Sequence, residues 1–242
     1  MSSYHGGQLR LDVVPIARGD ELHVLALPDD ETVLVLLEGE VEWLGVRSSR
    51  ASVFVTRASA VYLPPGAELD VRARAASEVA IAATTAGGLI AGGEPRVVGP
   101  SDVFVQHRGR AGWARDVHDV VADNVPAQRL LVGETFNTPG GWSSFPPHKH
   151  DGRDGEPALE EVYYYRFDQP DGFGFQGLYD RGGNERAVFL RHGAVVGFDT
   201  GFHPVCAAPG YRLYYLWALA GPVRRLAMYE DPAHTWLHDL PM

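Results

Sequence analysis

Short runs of β-branched and aromatic residues, broken by Gly, Pro, Asn and Asp, recur along the chain, and helical periodicity is scarce. Such punctuation marks an all-β barrel or sandwich, in which every strand is brief and every turn needs a residue with unusual backbone freedom. It predicts strands at 21–27, 32–37, 41–43, 60–63, 68–72 and 79–84, with turns at Pro28-Asp29-Asp30, Glu38-Gly39 and Pro64-Pro65-Gly66. After a Gly-rich and Pro-containing stretch at 86–100, a second series follows at 103–107, 129–135, 161–167, 174–179, 194–198 and 211–219. The halves echo each other. Glu31 precedes an apolar run ending in Glu38-Gly39, and Pro64-Pro65-Gly66-Ala67-Glu68 parallels Asp199-Thr200-Gly201-Phe202-His203, as in a duplicated fold. Two β domains are expected, an N-terminal one over residues 1–108 and a C-terminal one over 109–242. Residues 230–242, with Pro232 and Pro241, read as a surface tail docked through Trp236.

Composition narrows the function. A hydrophobic fraction of 45% over 242 residues is ample for a buried core. The formal net charge of -10, without a basic run, would repel a phosphate backbone, so no nucleic-acid partner is expected. The longest apolar stretches, such as 33–37 and 79–83, fall well short of the roughly 20 residues a membrane-spanning helix needs. The first residues show no basic segment followed by an apolar one, so no secretory signal is read and a cytoplasmic location is expected. The single cysteine, Cys206, excludes an intramolecular disulfide and a thiolate-rich zinc site. A metal would have to use nitrogen and oxygen ligands.

One constellation offers such ligands. His148 and His150 follow Pro146-Pro147, and on a strand their spacing of two turns both imidazoles to one face and Lys149 to the other. By itself the pair is equally compatible with packing or surface histidines. Eleven residues on, Glu161 opens a run in which alternation sets Glu161, Tyr163 and Tyr165 on one face; that parity selects Glu161 over its neighbour Glu160. His203, after Gly201 in a tight turn, can add a third imidazole. Three neutral imidazoles and a carboxylate suit a divalent Zn, Mn, Fe, Co or Ni ion with positions left for water or substrate. The remaining histidines, His5, His23, His107, His118, His192, His234 and His238, show no comparable spacing. Neither a Gly-x-Ser-x-Gly elbow nor a phosphate-binding glycine loop is present.

The segments Gly140-Gly141-Trp142-Ser143-Ser144-Phe145-Pro146-Pro147-His148-Lys149-His150-Asp151 and Leu159-Glu160-Glu161-Val162-Tyr163-Tyr164-Tyr165-Arg166-Phe167 resemble the 5-deoxy-glucuronate isomerase family of inositol catabolism. Gly172-Phe173-Gly174-Phe175-Gln176, Gly201-Phe202-His203-Pro204-Val205 and Gly221-Pro222-Val223-Arg224-Arg225 extend the likeness in the same order, and Asp199 departs from it where a proline is usual. The resemblance implies a bicupin, two double-stranded β-helix (jelly-roll) barrels, related to the 5-keto-4-deoxyuronate isomerases. It implies one metal ion in the second barrel on His148, His150, Glu161 and His203, with Zn or Mn preferred, and no organic cofactor. The first barrel is expected to hold no metal, since Glu68 stands where His203 would recur.

The activity implied is an aldose to ketose isomerisation, 5-deoxy-D-glucuronate to 5-dehydro-2-deoxy-D-gluconate, by a homo-oligomer acting on a small sugar acid. Glu161, Tyr163 and Tyr165 are the expected catalytic groups, with Glu134 a further candidate base. Arg224, Arg225 and Gln176 are the expected substrate contacts; strand parity disfavours Lys149 and Arg166 as partners of the substrate carboxylate. Competing readings are an isomerase of another deoxy-uronate, an iron-dependent cupin dioxygenase, and a sugar-acid binder without activity.

Overall fold

In a computed structural model, residues 2–86 and 93–240 are described; residues 87–92 of the expected linker, and Pro241 and Met242 of the expected tail, lie outside them. Strands dominate, and among the described residues the helical elements are two 3-10 helices, Ala111–Trp113 and Pro232–Asp239. Among the described residues no helix is long and apolar enough to cross a membrane. The chain forms two compact units: Met1–Phe104 with His118–Gly133 and Ala218–Ala220, and Val105–Val117 with Glu134–Trp217 and Gly221–Met242. The expected domains are each continuous in sequence, whereas these units exchange segments.

In the first unit the organising element is the fourteen-residue strand Asp30–Trp43. Its first part pairs with Ser77–Thr85 and Ala60–Leu63, its last part with Val46–Arg50 and Glu68–Ala73. The Glu38-Gly39 turn expected from sequence is instead a bulge inside this strand, where the register against Ser77–Thr85 shifts. Gly39 has φ +100, and a Cβ there would fall 2.4 Å from the carbonyl oxygen of Ala76, so the bend needs glycine. The real turn comes later, at Leu44 and Gly45, both left-handed as a two-residue hairpin requires. Leu34, Leu36, Val41, Trp43, Leu63 and Val71 form the core beneath.

A buried carboxylate fixes the segment 118–133 to this unit. Glu31 is fully buried; its Oε1 accepts the backbone N–H groups of Arg129 and Leu130, each at 2.6 Å, and its Oε2 accepts Gln128 N–H at 2.7 Å and Tyr62 Oη–H at 3.0 Å. Four donors replace the water that a buried carboxylate would lose. The three backbone contacts join residues 97, 98 and 99 positions apart, and so lay beyond any local sequence signal.

The second unit carries most of a six-stranded sheet, ordered Phe104–Arg108, Arg115–Val121, Leu131–Asn137, Leu213–Ala220, Glu160–Phe167, Val195–Phe198. A four-stranded sheet is ordered Trp142–Ser143, Val205–Ala207, Phe173–Tyr179, Glu185–Arg191. Arg115–Val121 and Glu185–Arg191 escaped the sequence reading because both are rich in charge; the latter is an edge strand whose single partner is Phe173–Tyr179. The C-terminal segment is also more ordered than expected. Tyr229–Glu230 pairs with His148–Lys149, and Pro232–Asp239 docks through buried Leu237, while Trp236 is exposed. The Arg110 guanidinium donates to the carbonyl oxygens of Leu237 and Leu240 and holds this end in place.

Glu31→Gln should lower the unfolding free energy by about 2–3 kcal/mol, since the amide's NH₂ group cannot accept and would face donors. Denaturant unfolding followed by tryptophan fluorescence measures the loss.

Candidate metal centre

His148 sits on the short strand His148–Lys149, opposite Glu230. Alternation sends the intervening Lys149 side chain away from the two imidazoles, into a buried nest where its ammonium lies 2.6 Å from Asp151, 2.8 Å from Asp154 and 2.5 Å from Glu156. Burial works against that charge, yet the three carboxylates hold the Lys149 pKa above its ordinary value. Lys149 is thereby consumed in bracing the His148-x-His150 segment. Glu161 comes from the entirely buried strand Glu160–Phe167, where it faces Phe198 in register. His203 arrives after Gly201, whose φ is +81 and whose hypothetical Cβ would lie 2.5 Å from the Tyr179 carbonyl oxygen, so glycine is required to deliver it. Phe198 then stacks on the His203 ring at 4.4 Å between centroids.

The three imidazoles converge. The His203 ring centroid is 4.9 Å from that of His148 and 4.9 Å from that of His150. Each ring has its Nδ1 against a backbone carbonyl: His148 to Pro146 at 3.3 Å, His150 to Leu159 at 3.0 Å, His203 to Gly201 at 3.2 Å. A carbonyl oxygen only accepts, so Nδ1 carries the hydrogen in all three, and every Nε2 is turned to the site as a potential ligand. His203 Nε2 is buried and has no hydrogen-bond partner among the described residues. Glu161 Oε2 completes the group, 2.8 Å from His150 Nε2 and 3.5 Å from His203 Nε2.

Burial, reinforced by the neighbouring His150, lowers the His148 pKa to about 3, and burial drives that of His203 well below the ordinary imidazole value; both rings are neutral near pH 7. His150 and Glu161 differ. Burial raises the Glu161 pKa against the pull of His150, while the hydrogen bond to Glu161 overcomes burial and raises that of His150. With Nδ1 protonated, a contact of 2.8 Å between Nε2 and a carboxylate oxygen needs a proton or a cation. His150, Glu161 and His203 are buried with their ligand atoms within 4.8 Å of one another, and the half-buried His148 ring lies 4.9 Å from that of His203; this nitrogen and oxygen donor set fits a borderline divalent ion.

The phenols share the face of Glu161, with Tyr163 and Tyr165 ring centroids 5.9 Å apart and Tyr163 6.2 Å from His203. Tyr163 Oη lies 3.1 Å from Ser144 Oγ. Tyr215, which the sequence reading passed over, packs its ring 4.5 Å from that of Tyr163 and donates to Ser143 Oγ. Burial lifts the Tyr163 and Tyr165 pKa values well above 10, so both are neutral donors at physiological pH.

Several expected roles need correction. Tyr165 Oη–H donates to Gln176 Oε1, and Gln176 Nε2 donates to the carbonyl oxygens of His203 and Pro204. Gln176 is fully buried with its donors and acceptor engaged, so it braces His203 and Tyr165 and is not placed to contact a substrate. Glu134 accepts from Tyr214 Oη at 2.8 Å; Tyr214 and Tyr215 are successive strand residues facing opposite sides, which puts Glu134 away from Tyr163. Arg224 and Arg225 follow the strand Leu213–Ala220, and neither lines the cavity beside His148.

That cavity, of about 380 Å³, is bounded by His148, Arg108, Arg110, Trp113, Arg115 and Phe145, with the C-terminal segment opposite. The three arginines fall on and around the strands Phe104–Arg108 and Arg115–Val121, the first of which the sequence predicts and the second of which its charge conceals. Only the fold brings them to His148.

A sequence model described as the KduI/IolB family matches residues 2–237. Curated relatives named 5-deoxy-glucuronate isomerase include those of Geobacillus kaustophilus, 37% identical over 93% of this chain and 84% of that protein, and Geobacillus thermodenitrificans, 36% identical over 93% and 85%. The crystal structure of an IolB-like protein from Salmonella typhimurium is similar at a TM-score of 0.87 and 31% identity, covering 96% of this chain and 90% of that one. Lactobacillus farciminis oxalate decarboxylase in its formate complex shares the fold at 13% identity, with a TM-score of 0.67 over 98% and 82% of the two chains.

Divalent metal loading should displace the proton held between His150 and Glu161. Addition of Zn or Mn to the metal-free protein in weak buffer is expected to release a proton, and affinity should rise with pH through the titration of His150, which the hydrogen bond to Glu161 raises above the ordinary imidazole value. His203→Ala should abolish stoichiometric metal in elemental analysis while the circular dichroism spectrum is unchanged.

Proposed function

The chain belongs to the KduI/IolB family, and we propose that it is a bicupin isomerase converting 5-deoxy-D-glucuronate to 5-dehydro-2-deoxy-D-gluconate. The observation that carries the reading is the unpartnered, buried His203 Nε2 in the group formed with His150 and Glu161, with the His148 ring 4.9 Å from that of His203. We assign the four as ligands of one divalent ion, Zn or Mn. When bound, such an ion supplies Lewis acidity, polarising the sugar carbonyl and acidifying the adjacent C–H bond.

The reaction moves a proton between neighbouring carbons and a second proton between their oxygens. A carboxylate has two oxygens, so Glu161 can serve the ion with one while the other carries the carbon-bound proton from C2 to C1. Tyr163 serves the oxygens. Its Oη keeps its proton because burial raises the pKa, and it lies 3.1 Å from Ser144 Oγ on the strand face it shares with Glu161. From there Oη–H donates to the aldehyde oxygen and recovers a proton from the C2 hydroxyl as the carbonyl moves over. Tyr165, tied to Gln176, orients His203 through that amide and holds the wall of the site.

Metal-loaded protein is expected to interconvert 5-deoxy-D-glucuronate and its ketose with no organic cofactor, followed by proton NMR in deuterated water. Sole turnover of 5-keto-4-deoxyuronate, or oxygen consumption with Fe(II), would overturn the assignment. Tyr163→Phe should lower kcat by roughly a hundredfold or more while metal content stays at the wild-type level.

A further inference from the structure

The cavity beside His148 has a charge pattern that the metal centre does not explain. The protein has an excess of acidic groups, and its other arginines commonly meet carboxylates: Arg10 with Asp30, Arg47 with Glu40, Arg72 with Glu21, Arg74 with Glu42, Arg181 with Asp154. The three arginines of the cavity do not. Among the described residues no carboxylate lies within ion-pair distance of Arg108, Arg110 or Arg115, and the one carboxylate lining the cavity, Glu230, is held 2.6 Å from His238.

The three differ in what occupies them. Arg110 spends its guanidinium on the carbonyl oxygens of Leu237 and Leu240. Arg108 donates Nε–H and Nη2–H to the Gln106 side chain at 3.1 Å and 2.6 Å. Arg115 donates through Nη1 to the carbonyl oxygens of Trp113 at 3.1 Å and Phe145 at 3.0 Å, and no partner is recorded for its Nε or Nη2 among the described residues. One nitrogen is thus anchored and the guanidinium plane fixed, with two donors left over. Arg115 is also partly buried.

An oriented, desolvated guanidinium with spare donors recognises a carboxylate or phosphate. A 5-deoxy-hexuronate has its aldehyde at one end of a six-carbon chain and its carboxylate at the other, so a sugar whose aldehyde meets the ion must place its carboxylate beside the metal group. The cavity begins at His148, a proposed ligand, and continues to Arg115 and Arg108. We propose that Arg115, assisted by Arg108, binds the carboxylate of the sugar-acid substrate and sets the distance between that end and the reacting carbons. The assignment rests on the isomerase reading for the identity of the sugar, and on the cavity alone for the carboxylate.

Two measurements separate these dependences. D-glucuronate, a stable uronate, is titrated into the metal-loaded protein by calorimetry, with uncharged D-glucose as the control, and turnover of 5-deoxy-D-glucuronate is assayed in parallel. Wild type should prefer glucuronate, and Arg115→Met should raise both its Kd and the substrate KM by about tenfold or more, with kcat less affected and metal content unchanged. Arg115→Lys should fall between. No preference for glucuronate in wild type, or a Kd for Arg115→Met within twofold of wild type, would overturn the proposal. Should Arg115→Met fail to fold, because Arg115 also anchors Trp113 and Phe145, Arg108→Met decides by at least a threefold rise in Kd against no change. If turnover is absent while the glucuronate preference persists and responds to these substitutions, the isomerase reading fails and the carboxylate site stands.

Discussion

Three imidazoles can aim at one point only when each is held from behind, and here every Nδ1 is pinned by a backbone carbonyl, from Pro146, Leu159 and Gly201. Backbone carbonyls do not rotate or titrate, so the tautomer is fixed along with the ring orientation, and the three Nε2 lone pairs are committed to the interior before any ligand arrives. Much of the surrounding architecture maintains those carbonyls. The Lys149 nest braces the loop after His150, Gly201 permits the turn into His203, and Gln176 ties down the His203 backbone. Without these supports the rings would be free to flip, and the low pKa values imposed by burial would mark histidines in a core and nothing more.

The two units meet the burial of a carboxylate in opposite ways. Glu31 is saturated by three backbone N–H groups and the Tyr62 hydroxyl, a fixed set of donors that binds a distant chain segment and leaves the oxygens spoken for. Glu161 faces imidazole nitrogens instead, groups that share a proton or yield to a cation. The first arrangement is structural because its partners cannot leave. The second is chemical because its partners can exchange what lies between them. Both carboxylates open apolar runs in sequence, and the distinction comes wholly from what the fold presents to their oxygens.

Around the second carboxylate, function is graded by distance. His148 stands at the boundary, belonging to the ligand group and to the cavity wall, and from it the lining passes to Arg115 and Arg108. Tyr163 and Tyr215 pack their rings against each other on the buried face that Glu161 shares, and low local polarity strengthens the polar contacts made there. A polar substrate entering from the arginine side would be oriented by charge first and by the inner group second.

The strands that alternate cleanly were legible in the sequence, and so was the candidate face of His148, His150 and Glu161, because period-two spacing decides which face a residue takes and Glu161 differs from Glu160 by parity alone; His203 joined the candidates from a turn and through the family resemblance, and the role of the four as ligands is the proposal made above. The same logic correctly set Lys149 apart. What spacing could not supply was any fact about the partners across the fold. Gln176 looked like a substrate contact and is a brace; Arg224 and Arg225 looked like the carboxylate anchor, and the guanidiniums at the cavity are those of Arg108 and Arg115. The Glu38-Gly39 pair carried a genuine demand for positive φ at Gly39, but glycine serves a bulge as readily as a turn, and the choice depended on the strand Asp30–Trp43 running on past its register shift against Ser77–Thr85 to pair with Val46–Arg50. Sequence thus determined which side chains share a face, a property of the local backbone. Tertiary structure decided which faces meet, which polar atoms are satisfied, and therefore which of them remain available for chemistry.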